Sequence, residues 1–452
     1  MPEQLPVGAL VYTDSEIWTV EKELGTGGQG SVYKVTSGAV SGALKWYNHQ
    51  SATEQQKEAI EELIQLGTPG ESYIWPESVA TLKKDVDKGD ASERHTPHGF
   101  GYLMPLIDGK RFTKLSYYFS GEATFKTEDA KIAACLQIAA SFHALHLSGL
   151  CYRDLSFANL FVDFETGEIQ ICDNDNVTFD SLASPKDAWG TSGFIAPEIM
   201  RAEAPPSSLT DLYALSVVLF RILFLQHPLQ GAREYAIDIA DQDSEIRLYG
   251  TDPLFIYDPD DDDNRPVKGK KDISDFFWNR YPESIRQLFT EAFTRGLHEP
   301  HERIRESVWI EALSVLRAQD YYCESCGGTL YYDLNRLKKG ERCEHCGRSL
   351  NFVPPRVKIG NRVLTLTHCR TFYVNQIDSS RPLAYEEPFA QVVVHPKYPT
   401  VWGLKNLSQE FWRYTASDGT EREIGQGQVL PIKNDLEANM GGTDAVFRIG
   451  TK

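Results

Sequence analysis

Apolar positions along the chain change their period several times, and each change predicts an element. Ile17-Trp18-Thr19-Val20 reads as a strand, runs into a glycine-rich segment ending at Val32 and Tyr33, and a further strand pattern closes at Ala43-Leu44-Lys45. From Ala52 to Leu66 the residues Ile60, Leu63 and Ile64 recur at helical spacing, and from Glu128 to Leu147 so do Ile132, Leu136, Ala139 and Phe142. Between these helices the charged stretch Lys83 to His98 reads as an exposed connection, and Phe100 to Ile107 as a strand leading into a hinge. Two short apolar strands follow, Leu160-Phe161-Val162 and Ile169-Gln170-Ile171-Cys172. Leu212 to Leu225, interrupted by Arg221, fits a helix buried inside a domain and is too short to span a bilayer. Beyond Leu316 the pattern changes: Val363 to Leu366, Ala390 to Val394 and Ala445 to Ile449 read as strands, with turns at Asp418-Gly419 and Gly441-Gly442, which suggests a β-sandwich.

Composition narrows the classes. A chain of 452 residues is long enough for roughly two to four domains. Its 46 basic and 64 acidic residues leave a net charge of −18, which argues against nonspecific binding to nucleic acid or an anionic membrane. Met1 to Pro6 lacks the basic start and apolar run of a secretory signal, so a cytoplasmic protein is expected. Of eight cysteines, four form two C-x2-C pairs and the other four stand singly (Cys135, Cys151, Cys172, Cys369), a pattern that favours a metal site over a disulfide framework.

The candidate chemistry centres on Tyr152-Arg153-Asp154-Leu155-Ser156-Phe157-Ala158-Asn159. Asp154, Asn159 five residues on and Asp173 fourteen beyond that have the spacing of a phosphoryl-transfer site. Asp154 would accept the proton of an attacking hydroxyl, while Asn159 and Asp173 would hold Mg²⁺ against the transferring phosphoryl group. Upstream, Gly25-Thr26-Gly27-Gly28-Gln29-Gly30 with Val32 is a G-x-G-x-x-G-x-V segment whose backbone N–H groups can approach phosphate oxygens closely. Lys45, after Ala43, is placed to pair with the α- and β-phosphates, and a helix glutamate would hold it: Glu58 is the choice, with Glu54 and Glu61 open. Met104 would back an adenine pocket whose edge is formed by the Pro105 carbonyl and the Ile107 N–H.

Taken in order, these residues resemble the eukaryotic-like protein kinases over roughly Ile17 to Leu316. To the glycine segment, Lys45, Tyr152-Arg153-Asp154 with Asn159, and Asp173-Asn174-Asp175 are added Gly190-Thr191-Ser192-Gly193-Phe194-Ile195-Ala196-Pro197-Glu198, Asp211 and Arg303. The resemblance implies a β-rich small lobe over a helical large lobe with Mg-ATP between them, a Glu198–Arg303 pair, and Asp211 as anchor of the catalytic-loop backbone. Thr191 goes with Ser/Thr specificity and a protein substrate. Thr178, Ser181, Ser184, Thr191 and Ser192 are candidate phosphorylation sites, and Arg153 either meets a phosphate there or orients backbone and acids. Four residues depart from the family: Tyr152 stands for His, Ser156 for a lysine, and Asn174-Asp175 for Phe-Gly. The missing lysine removes a cation that could contribute on the order of 2–4 kcal/mol to the transition state. Asp175 is a further candidate carboxylate for metal. A nucleotide-binding pseudokinase scaffold and a small-molecule phosphotransferase are the rival classes.

Downstream of the catalytic residues, Asp252 to Pro266, with His227-Pro228-Leu229 before it and Asn264-Arg265-Pro266 within it, resembles an insert of bacterial kinases. Those kinases work alongside a PP2C-type phosphatase and a von Willebrand A-domain protein, as in tellurite-resistance modules. Cys323-x2-Cys326 and Cys343-x2-Cys346, each followed by glycine, read as a knuckle pair for structural Zn²⁺ that leaves no open coordination position, with a redox pair of C-x2-C motifs as the alternative. Lys338, Lys339, Arg342 and Arg348 alternate with Glu324, Asp333, Glu341 and Glu344 and make no basic patch, so the ribbon reads as a spacer or docking element. Trp402 to Ser408 and Gly425 to Val429 resemble a forkhead-associated domain, without its Gly-Arg and Ser-x-x-His elements. The expected architecture is α+β: a two-lobed protein-kinase-like domain (16–318), a zinc ribbon (319–351) and a C-terminal β-sandwich, forkhead-associated-like (352–452).

Overall fold

The computed structural model describes residues 4–82, 99–180, 190–237, 241–270, 272–340, 342–350, 353–360, 362–441 and 446–450. The connection read at Lys83 to His98, Ser181 and Ser184 of the activation segment, Glu341, Gly442 and Ala445 lie outside the described residues. The chain divides into two compact units. The first comprises Met1–Thr124, Ser141–Ile195 and Ala202–Asp211, and the second Phe125–Ala140, Ala196–Arg201 and Leu212–Lys452.

The first unit opens with a closed six-stranded barrel: β1 (Leu10–Tyr12), β2 (Ile17–Thr26), β3 (Gly30–Ser37), β4 (Val40–Tyr47), β5 (Ser78–Thr81) and β6 (Phe100–Met104), ordered β1-β2-β3-β4-β6-β5. It begins upstream of the boundary expected at residue 16, because Leu10–Tyr12 is too short to show a period yet pairs with both β2 and β5. Alternation along β4 decides what the barrel holds and what it offers. Leu44 and Trp46 join Val20, Tyr33, Val35 and Leu103 in the interior, so Ala43, Lys45 and Tyr47 face the other way. Gly30 is required where β3 meets β4, since a Cβ there would lie 2.0 Å from the Trp46 carbonyl oxygen. The helix Glu54–Leu66 starts after Thr53, whose hydroxyl accepts from the Gln56 N–H, and buries Ile60 and Leu63.

After the barrel, the first unit contains a two-stranded and a three-stranded antiparallel sheet that frame the central loop, Thr113–Lys114 being the third strand, beside Leu160–Val162. Leu150–Cys151 pairs with Thr178–Phe179, and Leu160–Val162 pairs with Ile169–Ile171. The helix Glu128–Leu147, whose two halves fall in different units, has the length and composition of a membrane span, but Ile132, Leu136, Ala139 and Phe142 are all buried within the protein.

The helix Ser208–Phe224 enters the second unit at Leu212, and from Leu215 to Phe224 every residue but half-buried Arg221 is buried, as the apolar run predicts. Phe220 and Phe224 lie in an aromatic cluster with Phe255, Trp278, Phe289 and Phe293. The acidic segment has a built inner edge. Asn264, fully buried, donates to the Leu229 and Leu254 carbonyls and accepts from the Arg233 N–H. Arg265 donates to the Ile256 and Asp258 carbonyls. Polar side chains here satisfy backbone groups that have no strand or helix partner.

Further along, Asp320–Tyr322 and Thr329–Tyr331 form a hairpin that ends in the first cysteine pair. The last hundred residues make a six-stranded and a four-stranded antiparallel sheet. Val357, Leu364, Trp412 and Phe447 of the first share one core with Phe372, Val392, Leu404 and Leu430 of the second.

Candidate active site

Asp154 sits on a loop whose backbone is fixed from both sides. Asp211 accepts the N–H of Tyr152 at 2.6 Å and of Arg153 at 3.1 Å, so this buried carboxylate holds the turn in which Arg153 adopts φ +72°. Tyr152 is wholly buried, and its hydroxyl donates to the Cys172 carbonyl, which fixes the residue before Asp173. Arg153 donates through Nε to the Asn176 carbonyl at 2.5 Å, a contact with backbone just past Asp175. The Asn159 amide donates to the Asp154 carbonyl at 2.9 Å.

Asp154 itself accepts the Thr191 hydroxyl at 3.1 Å. Burial raises its pKa, the Thr191 hydrogen bond opposes this, and the negative charge of Asp173 adds to the rise. Asp173 has left-handed backbone, φ 62°, and its side chain is 38% exposed. Among the described residues one of its oxygens takes the Lys45 ammonium at 2.6 Å and the other accepts no hydrogen bond. Among the described residues the side-chain oxygen of Asn159 likewise has no hydrogen-bond partner, its nitrogen donating to the Asp154 carbonyl. An amide oxygen and a carboxylate oxygen fit a hard divalent cation, so these residues suit Mg²⁺.

Lys45 has three N–H donors and three partners: Asp173, Asp175 at 2.8 Å and the Gln29 side-chain oxygen at 3.0 Å. Burial alone would lower its pKa, but Asp175 and Asp173 outweigh that and raise it, so the ammonium stays charged. Asp175 is sealed, with no side-chain exposure, and also accepts the Tyr47 hydroxyl. Burial and the adjacent carboxylate raise the Tyr47 pKa, which keeps that hydroxyl a donor.

The structure does not bring Glu58 to Lys45. Glu58 and Glu54 are exposed, and Glu61 faces Lys57 at 3.8 Å. The physical reason is helical period. Ile60 and Leu63 set the buried stripe, the residue one turn before Ile60 is Gln56, and Glu58 lies about 200° around the axis from it. Gln56 accordingly reaches the site and donates to the Tyr47 hydroxyl oxygen at 3.2 Å and the Asp175 carbonyl at 3.3 Å. Asp175 is therefore not an open metal carboxylate, because both of its oxygens are engaged. Asn174, in the place of an aromatic residue, donates to the Ile74 and Ile171 carbonyls.

The glycine segment closes over these residues. Gly25 and Thr26 pair with Val32 and Ser31, the Gly27 N–H donates to the Gly30 carbonyl, and Asn48 donates to the Gly28 carbonyl at 2.6 Å. Gln29 ties the tip down by accepting from Lys45 and donating to Asn176 at 3.2 Å. At the far side Ala43 and Met104 are opposed on β4 and β6, both buried, and Pro105 and Ile107 follow at the strand's end with partial to full exposure. In the second unit, Arg303 grips Glu198 through two bonds of 2.7 Å, both side chains being buried.

The four knuckle cysteines converge separately. Their sulfurs all lie within 4.8 Å of one another, with Cys323–Cys346 at 3.9 Å and Cys326–Cys343 at 3.7 Å. A tetrahedral ion with bonds of ~2.3 Å requires S···S edges of ~3.8 Å, so the cluster fits Zn²⁺. Gly327 and Gly347, at φ +69° and +73°, each return an N–H to the first cysteine carbonyl of their pair. Backbone N–H groups of Ser325 and Cys326 lower the Cys323 thiol to about 7, while burial raises that of Cys343 to about 12.

Comparison with known proteins agrees with this geometry. A family model described as "Protein kinase domain" matches residues 18–279. Beta-adrenergic receptor kinase 1 of Didelphis virginiana is 29% identical over 145 residues, 31% of this chain and 20% of that protein. G protein-coupled receptor kinase 2 of Caenorhabditis elegans is 25% identical over 239 residues, 51% of this chain and 32% of that protein. Probable serine/threonine-protein kinase 2 of Plasmodium falciparum is 28% identical over 135 residues, 29% of this chain and 26% of that protein. The chain thus spans between a fifth and a third of the length of these relatives.

Proposed function

The chain belongs to the protein kinase domain family, and from that premise we propose that it is a Ser/Thr protein kinase with Asp154 as its catalytic base. The observation that carries this reading is the Thr191 hydroxyl on Asp154 Oδ1, 3.1 Å away. A hydroxyl seated on that carboxylate, in a loop fixed by Asp211, is the arrangement an acceptor serine or threonine needs. Asp154 takes the acceptor proton as the hydroxyl oxygen bonds to the γ-phosphorus and the bond to the bridging oxygen breaks, with ADP leaving. Lys45 and the glycine segment hold the phosphates. Bound through Asn159 and Asp173, Mg²⁺ would supply charge neutralisation on the transferring group. Transfer of phosphate to protein serine or threonine, lost in Asp154→Asn, is the test.

The same proposal covers the rest of the chain. Residues 16–318 act as the kinase domain. Residues 319–351 form a structural zinc ribbon, supported by the convergence of Cys323, Cys326, Cys343 and Cys346. Residues 352–452 form a forkhead-associated-like β-sandwich used for docking, supported by two sheets around a shared core. The likeness of Asp252 to Pro266 to an insert of bacterial kinases is what supports a cytoplasmic bacterial phosphosignalling role with a PP2C-type phosphatase and a von Willebrand A-domain protein.

A further inference from the structure

We propose that Asp175 is the residue that positions Lys45 for the phosphates of the nucleotide, in place of a glutamate from the helix Glu54–Leu66. This deepens the kinase reading and rests on it. Of the three partners of Lys45, two are open to exchange. Gln29 rides on the tip of the glycine segment, and Asp173 is 38% exposed with an oxygen left over for metal. When phosphate oxygens arrive, these two contacts can be surrendered to them and to Mg²⁺. Asp175 cannot move in the same way. Its side chain has no exposure, Lys45 and Tyr47 engage its oxygens, and Gln56 holds its backbone carbonyl. Its neighbours Asn174 and Asn176 are pinned by Ile74, Ile171, Gln29 and Arg153.

A buried ammonium needs a fixed opposite charge, or its desolvation drives it out of the site or discharges it. The helix offers only Gln56 at this position, a neutral side chain that braces the carboxylate through Tyr47 and the Asp175 backbone. The fixed charge therefore arrives with the same short segment that brings Asp173. Lys45 and the metal carboxylate are set by one turn of chain, Asp173 to Asn176, and no acidic residue of the helix has to swing in.

The experiment measures binding of Mg-ATP and of adenosine, which has no phosphates, to the full chain and to Asp175→Asn, Glu58→Gln, Lys45→Met and the Lys45→Met/Asp175→Asn double variant. Asp175→Asn is expected to weaken Mg-ATP by about tenfold or more, because it removes the one fixed carboxylate that holds Lys45 in place. Adenosine affinity and the Glu58→Gln variant should stay within about twofold of wild type, a change near RT in free energy. In the Lys45→Met background Asp175→Asn should cost nothing more for Mg-ATP, and that double variant, which removes both charges, also guards against misfolding of the single one. The proposal is overturned by Asp175→Asn binding Mg-ATP as wild type does, by equal losses of Mg-ATP and adenosine, by an undiminished further loss in the Lys45→Met background, or by Glu58→Gln losing Mg-ATP. A wild type that binds neither nucleotide would instead remove the kinase reading, and this inference with it.

Discussion

Arg303 and Glu198 form a bidentate ion pair, two bonds of 2.7 Å between side chains that are 105 positions apart in the chain and nearly sealed from solvent. Arg303 also donates Nε to the Gly296 carbonyl and lies over the Tyr213 ring, so its planar fork is satisfied on three sides. Glu198→Ala or Arg303→Ala should therefore cost about 3–5 kcal/mol, since each strands the other charge. Thermal and denaturant unfolding of the two single variants and the double would measure it, with the double less damaged than the sum of the singles. Additive losses would mean that the pair is not coupled.

Asp211 makes a second prediction. Asp211→Ala strands the N–H groups of Tyr152 and Arg153, costing about 1–3 kcal/mol for each group that finds no new partner. Displacement of Asp154 should lower kcat by about a hundredfold. The comparison to make is kcat against melting temperature. A variant that melts early but turns over normally would show that the anchor serves stability alone.

How much of this was legible in the sequence depends on distance along the chain. Residue type and spacing single out Lys45, Asp154, Asn159 and Asp173 as candidates, because each lies on a short element whose local geometry the neighbouring residues dictate, and the fold brings Lys45 to Asp173. They do not single out Asp175 as the partner of Lys45, since it is 130 positions away and only the tertiary fold brings it near. Gln56 could have been found: the stripe of Ile60 and Leu63, extended back one turn, passes through it and misses Glu58. The role of Asn264 was hidden for another reason. A buried polar side chain that serves backbone groups leaves no apolar period, and Asn264 directly follows four aspartates in the chain.

The acid limb of the activity is a third prediction. Burial, with Asp173 behind it, raises the Asp154 pKa, so Asp154, as the proposed base, would be protonated and inactive at a higher pH than an ordinary aspartate. Transfer should therefore fall, as pH drops, above the usual carboxylate range near 3.8. Thr191→Val removes a hydrogen bond that lowers this pKa, so the limb should move to still higher pH. The kcat/KM profile of the two proteins decides it; a limb that stays put or moves down would separate Thr191 from the titrating group.

For the cysteine cluster the expected outcome is stoichiometric. Purified protein should release a single zinc ion per chain on thiol modification, read with a colorimetric chelator, and Cys343→Ser should abolish the high-affinity site. Removal of the ion should loosen the small core around Tyr321, Leu330 and Tyr332. Protein that is fully folded there and free of metal would contradict the assignment.

The most direct measurement of the central claim is transfer of labelled phosphate from Mg-ATP to a protein acceptor, with the wild type and Asp154→Asn side by side and binding of Mg-ATP followed in both. Label on serine or threonine with the wild type, reduced by at least about a hundredfold in the variant while nucleotide still binds, is the predicted result. Equal labelling by the two proteins, or none by a wild type that binds Mg-ATP, would contradict it.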